Sequence, residues 1–185
     1  MKICLLMQDS ISVNGKYFRK YINEADIQAR IVELGKALTQ EYEGKNPLFV
    51  GVLNGGFLFA ADLFRQFEFE CEITFVKLTS YKGMSSTGNV NEVIGLDTDI
   101  RGRHVVVLED IIDTGKTLYE FMPNLLEQGA DSARIATLLH KPDALKFDVK
   151  IDYIGFSVPN KFLVGYGLDF DQKGRNYRDI YQLDE

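Results

Sequence analysis

The sequence predicts an α/β fold: an open, mostly parallel twisted sheet flanked by helices. Three observations carry this. Strand-like and helix-like segments alternate along most of the chain. One of the strand-like runs, HVVVLED (104–110), holds an unbroken β-branched stretch, Val105–Val107, the pattern of a strand buried on both faces. That run ends in carboxylates followed by a turn of small residues, as expected where such sheets bind ligands beyond the carboxyl ends of their strands.

The elements follow in order. Asn23 can cap a helix over 24–42, with Ile27, Ile31, Leu34 and Leu38 on one face. Pro47 opens a strand, LFVGVL (48–53); Gly55-Gly56 breaks it, and FLFAADLFRQF (57–67) reads as a helix. CEITFVKLTSY (71–81) is a strand with partial alternation. KGMSSTGN (82–89) has the composition of a mobile loop. EVIGL (92–96) is a short strand, and a turn over 97–102 leads into 104–110. The turn 113–117 starts a helix to about Glu127, in which Pro123 removes one hydrogen bond and predicts a kink or an early end. ARIATLLH (133–140) and DYIGFSV (152–158) are strands, and from about Lys161 the chain is less regular. With 185 residues, no repeats and no linker, it reads as a single domain over 1–185.

Composition narrows the partners. A net charge of −6 implies no broad basic surface, so nucleic acid is not expected. A negatively charged small substrate would need local lysines, backbone N–H groups or a metal. Cys4 and Cys71 form no CxxC and fit a reducing compartment. The apolar run Ile3–Met7 is too short for a signal-peptide core or a membrane span. A cytoplasmic protein with no membrane partner is expected.

The stretch VVVLEDIIDTGKTL (105–118) carries the chemistry. A helix N-terminus preceded by small residues presents free N–H groups that attract a phosphate, and Thr114, Lys116 and Thr117 can add hydroxyls and a charge. A P-loop would need glycine at position 110. Asp110 stands there and would repel the β- and γ-phosphates, so a nucleotide kinase is excluded. Glu109 and Asp110 can instead accept hydrogen bonds from vicinal hydroxyls or orient the water around Mg²⁺. A sugar phosphate matches: acids face the sugar, and the turn faces its phosphate.

This stretch resembles the phosphoribosyl pyrophosphate signature of type I phosphoribosyltransferases. LFVGVLNGGFLFAADL, LTSYKGMSSTG, PNKFLVGYGLDF and YRDIY resemble the hypoxanthine(-guanine) branch of that family. The resemblance implies the type I fold with a small hood subdomain, formed by about 1–20 and 161–185. It implies purine salvage: transfer of a 5-phosphoribosyl group from phosphoribosyl pyrophosphate to a 6-oxopurine (hypoxanthine, with guanine), giving the nucleoside monophosphate and pyrophosphate with Mg²⁺. It also implies a homo-oligomer, at least a dimer.

By position, the resemblance assigns the ribose hydroxyls to Glu109 and Asp110, the general base at purine N7 to Asp113, and the 5-phosphate to Thr114, Gly115, Lys116 and Thr117. Leu53, Asn54 and Gly55 match the loop that binds pyrophosphate through its amides, often with a cis first peptide bond. Many members carry lysine where Asn54 stands. Ser80 and Tyr81 open the segment matching the lid. Lys141 matches the donor to the purine 6-oxygen, Phe162 the stacking aromatic, and Leu163 a backbone contact to the base. Asp169 matches the acid near the second Mg²⁺; Glu109 and Asp110 stand near metal water. A family arginine contacts pyrophosphate, and Arg178 in YRDI is the better match than Arg175. The rival from another class is a regulator on the same fold, which would usually add a DNA-binding domain or a basic face; this chain has neither obvious extra length nor basic excess.

Overall fold

The computed structural model describes residues 9–79 and 91–184. In chain order the strands and helices are β1 (Ser10–Val13), β2 (Lys16–Ile22), α1 (Glu24–Tyr42), β3 (Leu48–Leu53), α2 (Phe57–Phe64), β4 (Glu72–Thr79), β5 (Asn91–Ile94), β6 (His104–Ile112), α3 (Lys116–Glu127), β7 (Ser132–His140), β8 (Tyr153–Ser157), β9 (Leu163–Val164) and β10 (Ile180–Leu183). The main sheet has the order β5-β4-β3-β6-β7-β8. All its pairings are parallel except that of the edge strand β5 with β4. A smaller antiparallel sheet, β1-β2-β10-β9, joins the two ends of the chain.

Burial explains the pattern. Val105, Val106, Val107 and Leu108 are all fully buried, because α1 and α2 cover one face of the sheet and α3 the other. Each such side chain gains about 1.5–3 kcal/mol over an exposed one. A charge at Val107 would leave an unpaired ion in that core and unfold it. Helix α1 begins where Asn23 accepts from the Asp26 N–H at 2.9 Å. Its buried stripe includes Ile27, Ile31, Leu34 and Leu38.

Boundaries differ from the sequence expectation chiefly at α2 and β6. Helix α2 stops at Phe64, three residues early, as Gln66 N–H turns back to the Leu63 carbonyl (3.0 Å) and Phe67 stacks on Phe49 at 4.6 Å. Helix α3 runs to Glu127 as expected, with no early end at Pro123, and closes at Gly129, φ +94°. Strand β6 continues to Ile112, which carries its pairing with β7 past the acids. The strands of the small sheet, drawn from the two chain ends, were not part of the sequence reading. Its hairpin turns at Asn14-Gly15, with φ of +49° and +76°, the dipeptide that tolerates two left-handed residues. The expected loop 82–89 lies outside the described residues. No helix among the described residues is long and apolar enough to cross a membrane.

Candidate active site

Strand β6 delivers Glu109 and Asp110 to the carboxyl edge of the sheet, beside the end of β3. They line a cavity of about 300 Å³ together with Leu53, Gly55, residues 113–117, Asp169 and Arg175. Burial pushes the Glu109 carboxyl well above the usual carboxylate range, and the neighbouring Asp110 charge adds to the shift. Burial likewise raises Asp110, against the pull of the Ile111 N–H, which donates to it at 2.9 Å, and of the Arg175 charge. Two acids held this way favour a ligand that brings hydroxyl donors or a cation.

The geometry of the turn 113–117 follows from local chemistry. Gly115 sits at φ +80°, and a Cβ there would lie 2.9 Å from Leu145 Cδ1. The Thr114 carbonyl is fixed by the Lys146 and Phe147 N–H groups at 3.0 and 3.2 Å. The first helical bond runs from Tyr119 N–H to the Gly115 carbonyl, 2.9 Å, so the amides of Thr117 and Leu118 precede the bonded ladder. Lys116, exposed, reaches Glu120 at 3.7 Å, a loose pair that a phosphate can displace.

The Leu53–Asn54 peptide bond is cis. Gly55 lies so close to Asp110 that a Cβ would fall 1.7 Å from Asp110 Oδ2. Asn54 is exposed at this bend. Lys141 follows β7 and is buried, with Nζ 3.1 Å from Asp113 Oδ2. That contact spans 28 residues and arises because β6 and β7 run in register to Ile112 and His140.

Asp169 Oδ1 is 2.7 Å from Arg175 Nη2, while Arg175 Nη1 donates to the Gly167 carbonyl at 2.7 Å. Arg178 stands elsewhere: it pairs with Glu24 at 3.1 Å and its side chain is 80% exposed. The arginine on the cavity is therefore Arg175, not the expected Arg178. The left-handed residues Asp171 (φ +50°) and Gln172 (φ +68°) fold the segment back and return Arg175 to Asp169. Phe162 is exposed at the edge of the small sheet, edge-on to Phe170 at 5.4 Å, and Leu163 is buried in β9. Ser80 and Tyr81, expected to open a lid, lie outside the described residues.

Residues 22–171 match the model of the phosphoribosyl transferase domain. The chain belongs to the phosphoribosyltransferase family. This phosphoribosyltransferase is 42% identical over 156 residues to the hypoxanthine-guanine phosphoribosyltransferase of Lactococcus lactis, covering 84% of this chain and 85% of that one. It is 45% identical over 168 residues to the hypoxanthine-guanine-xanthine phosphoribosyltransferase of Tritrichomonas foetus, covering 90% and 92%. Among solved structures, a hypoxanthine phosphoribosyltransferase from Staphylococcus aureus superposes with a TM-score of 0.85 at 37% identity, over 90% of this chain and 91% of that one.

The donors fit a magnesium ion. Among the described residues no three His, Cys, Asp or Glu side chains converge as a metal cage. The buried pair Glu109 and Asp110 instead suits an ion that keeps waters and substrate oxygens as its other ligands.

Proposed function

We propose that this phosphoribosyltransferase serves purine salvage, transferring the 5-phosphoribosyl group of phosphoribosyl pyrophosphate to hypoxanthine or guanine and releasing pyrophosphate. The observation that carries the base specificity is the buried Lys141 ammonium, 3.1 Å from Asp113 at the edge of the phosphate turn. A 6-oxopurine presents O6 and N7 side by side on one edge. Lys141 donates to O6 while Asp113 accepts the proton on N7, so one purine edge replaces an internal ion pair. Adenine carries an amino group at position 6 and leaves Lys141 without an acceptor. The names of the Lactococcus and Tritrichomonas relatives support the same substrates.

The ribose hydroxyls lie on Glu109 and Asp110, and the 5-phosphate on the amides and hydroxyls of Thr114–Thr117. The pyrophosphate meets the amides of Leu53–Gly55, with Arg175 supplying the cation that Asn54 lacks. Bound Mg²⁺, held through Glu109, Asp110 and Asp169, would offset the negative charge of the leaving pyrophosphate. Phe162 and Leu163 border the base, and Ser80-Tyr81 begins a lid that excludes water from the ribose. The small sheet forms the hood, and a cytoplasmic homo-oligomer, dimer or tetramer, is the expected assembly, whose size sedimentation would test.

The test is a panel of hypoxanthine, guanine, xanthine and adenine with phosphoribosyl pyrophosphate and Mg²⁺, following nucleotide formation. Product from hypoxanthine and none from adenine is expected; no product from any 6-oxopurine refutes the proposal. Lys141→Ala should raise KM for hypoxanthine by about tenfold or more, the loss of a charged hydrogen bond. Asp113→Asn should lower kcat by about 10²–10⁴-fold with nucleotide affinity largely retained.

A further inference from the structure

We infer that Tyr166 and Asp62 are positioning residues, whose hydrogen bond fixes the turn 165–168 on the Leu53–Gly56 loop and so sets the spacing between the two halves of the site. The inference rests on the proposed reaction, in which that loop takes pyrophosphate while the turn's flanks carry Leu163 toward the base and Asp169 and Arg175 toward the leaving group.

Tyr166 adopts φ +46°, a left-handed conformation that a bulky side chain takes only when its surroundings require it. Its ring is buried, and its hydroxyl donates to Asp62 Oδ2 at 2.6 Å. The same oxygen accepts from Gln28 Nε2 at 2.8 Å, so α1 steadies the acceptor. Burial and the Asp62 carboxylate push the phenol far above its ordinary range, which keeps it a donor. Asp62 lies on α2, the helix that rises directly out of the pyrophosphate loop; Ala60 N–H bonds the Gly56 carbonyl at 2.8 Å. Tyr166 therefore grips the element that carries the loop.

The other side of the turn makes the matching contact. A Cβ at Gly167 (φ +93°) would fall 2.2 Å from the Gly55 carbonyl oxygen, so the two backbones touch with no room for a side chain. Gly55 in turn abuts Asp110, and Gly167 N–H bonds the Arg175 carbonyl at 3.0 Å. A small slip of the turn on α2 would move Gly167 off Gly55. Asp169 and Arg175 would shift relative to the loop amides. Tyr166 itself is not among the groups lining the cavity, so its influence is on position and not on the chemistry.

The test uses Tyr166→Phe, Asp62→Leu and Asp62→Asn. Binding of pyrophosphate and of phosphoribosyl pyrophosphate with Mg²⁺ is measured by calorimetry without purine, beside Tm and both KM values. Tyr166→Phe and Asp62→Leu should each weaken both ligands about tenfold, and raise KM for phosphoribosyl pyrophosphate alike, with KM for hypoxanthine changed less than about twofold. Asp62→Asn still accepts from the phenol and should stay within about threefold of the parent protein. Lower Tm with unchanged affinities would make the bond ordinary packing and overturn the inference. So would an Asp62→Asn loss equal to that of Asp62→Leu. If the parent protein itself fails to bind phosphoribosyl pyrophosphate, the proposed function falls; normal parent binding with unaltered variants sinks this inference alone.

Discussion

Replacing Arg175 with alanine removes two contacts of 2.7 Å, one to the Asp169 carboxylate and one to the Gly167 carbonyl, from a side chain only 19% exposed. It also takes away the positive charge that restrains the Asp110 shift. A hydrogen bond involving an ion is worth about 1.5–3 kcal/mol, and the two here share one guanidinium, so a loss of about 2–3 kcal/mol is expected. For a chain of this size that lowers Tm by about 5–10 °C. Arg178→Ala removes only a pair to Glu24 whose side chains are 80% and 44% exposed. Exposed pairs contribute about 0–1 kcal/mol, so Tm should fall by no more than about 3 °C. The kinetic contrast should be sharper. With Arg175 facing the leaving pyrophosphate, kcat/KM for phosphoribosyl pyrophosphate should fall by about 10²-fold in Arg175→Ala, and Arg178→Ala should leave it unchanged. Arg175→Lys should recover little, because one ammonium does not span both partners. Calorimetric melting and initial rates decide the matter. A larger kinetic loss in Arg178→Ala than in Arg175→Ala would refute the placement of Arg175 at the leaving group.

Two further predictions concern one contact at the site and one beside the small sheet. Gly55→Ala should raise KM for phosphoribosyl pyrophosphate by about tenfold or more, since the new methyl would lie 1.7 Å from Asp110 Oδ2 and must displace the carboxylate or the loop; wild-type kinetics in that variant would show the loop free to yield. Asp179 tests linkage: burial would raise its pKa, but Lys20, the Glu24 N–H and the Tyr181 hydroxyl together lower it. The folded value lies below the unfolded value of about 3.9, so the stabilisation is present above that pH and fades as pH falls through the folded pKa. Asp179→Asn should therefore cost about 1–2 kcal/mol at pH 7 and flatten the stability profile below about pH 4, as read by denaturant melts; an unchanged acid limb would contradict it.

What the sequence disclosed depended on whether a signal was local. The Val105–Leu108 run spoke plainly because helices cover both faces of β6, and the Asn23 cap and Ile27-Ile31-Leu34-Leu38 stripe marked α1 for the same kind of reason. The acids at 109–110 and the turn at 113–117 are contiguous, so their meeting needed no tertiary knowledge. The strands of the small sheet were not read, although its hairpin signal is local too: Asn14-Gly15 followed by KYFRKYI, in which Phe18 and Ile22 point inward. Strand β9 has two residues and exists only through pairing with β10. The sequence favours Arg178 over Arg175 because the chain reversal at Asp171-Gln172, through two left-handed residues, is not visible in linear spacing.

Lys141 and Asp113 show how the sheet's register becomes chemistry. Each lies one residue past Ile112 or His140, the last residues of two parallel strands that pair with each other. Strand register thus sets the distance between a cation and an acid without either belonging to a motif. The two stand 3.1 Å apart, so the buried ammonium has a carboxylate partner within the protein. On the proposed reaction, a purine with oxygen at position 6 would exchange that pair for hydrogen bonds to O6 and N7. A purine with an amino group there would break the pair and offer the ammonium nothing in return. Discrimination would then come from a buried charge that is stable only in company, and it should survive any change of phosphate or pyrophosphate contacts on the other strands.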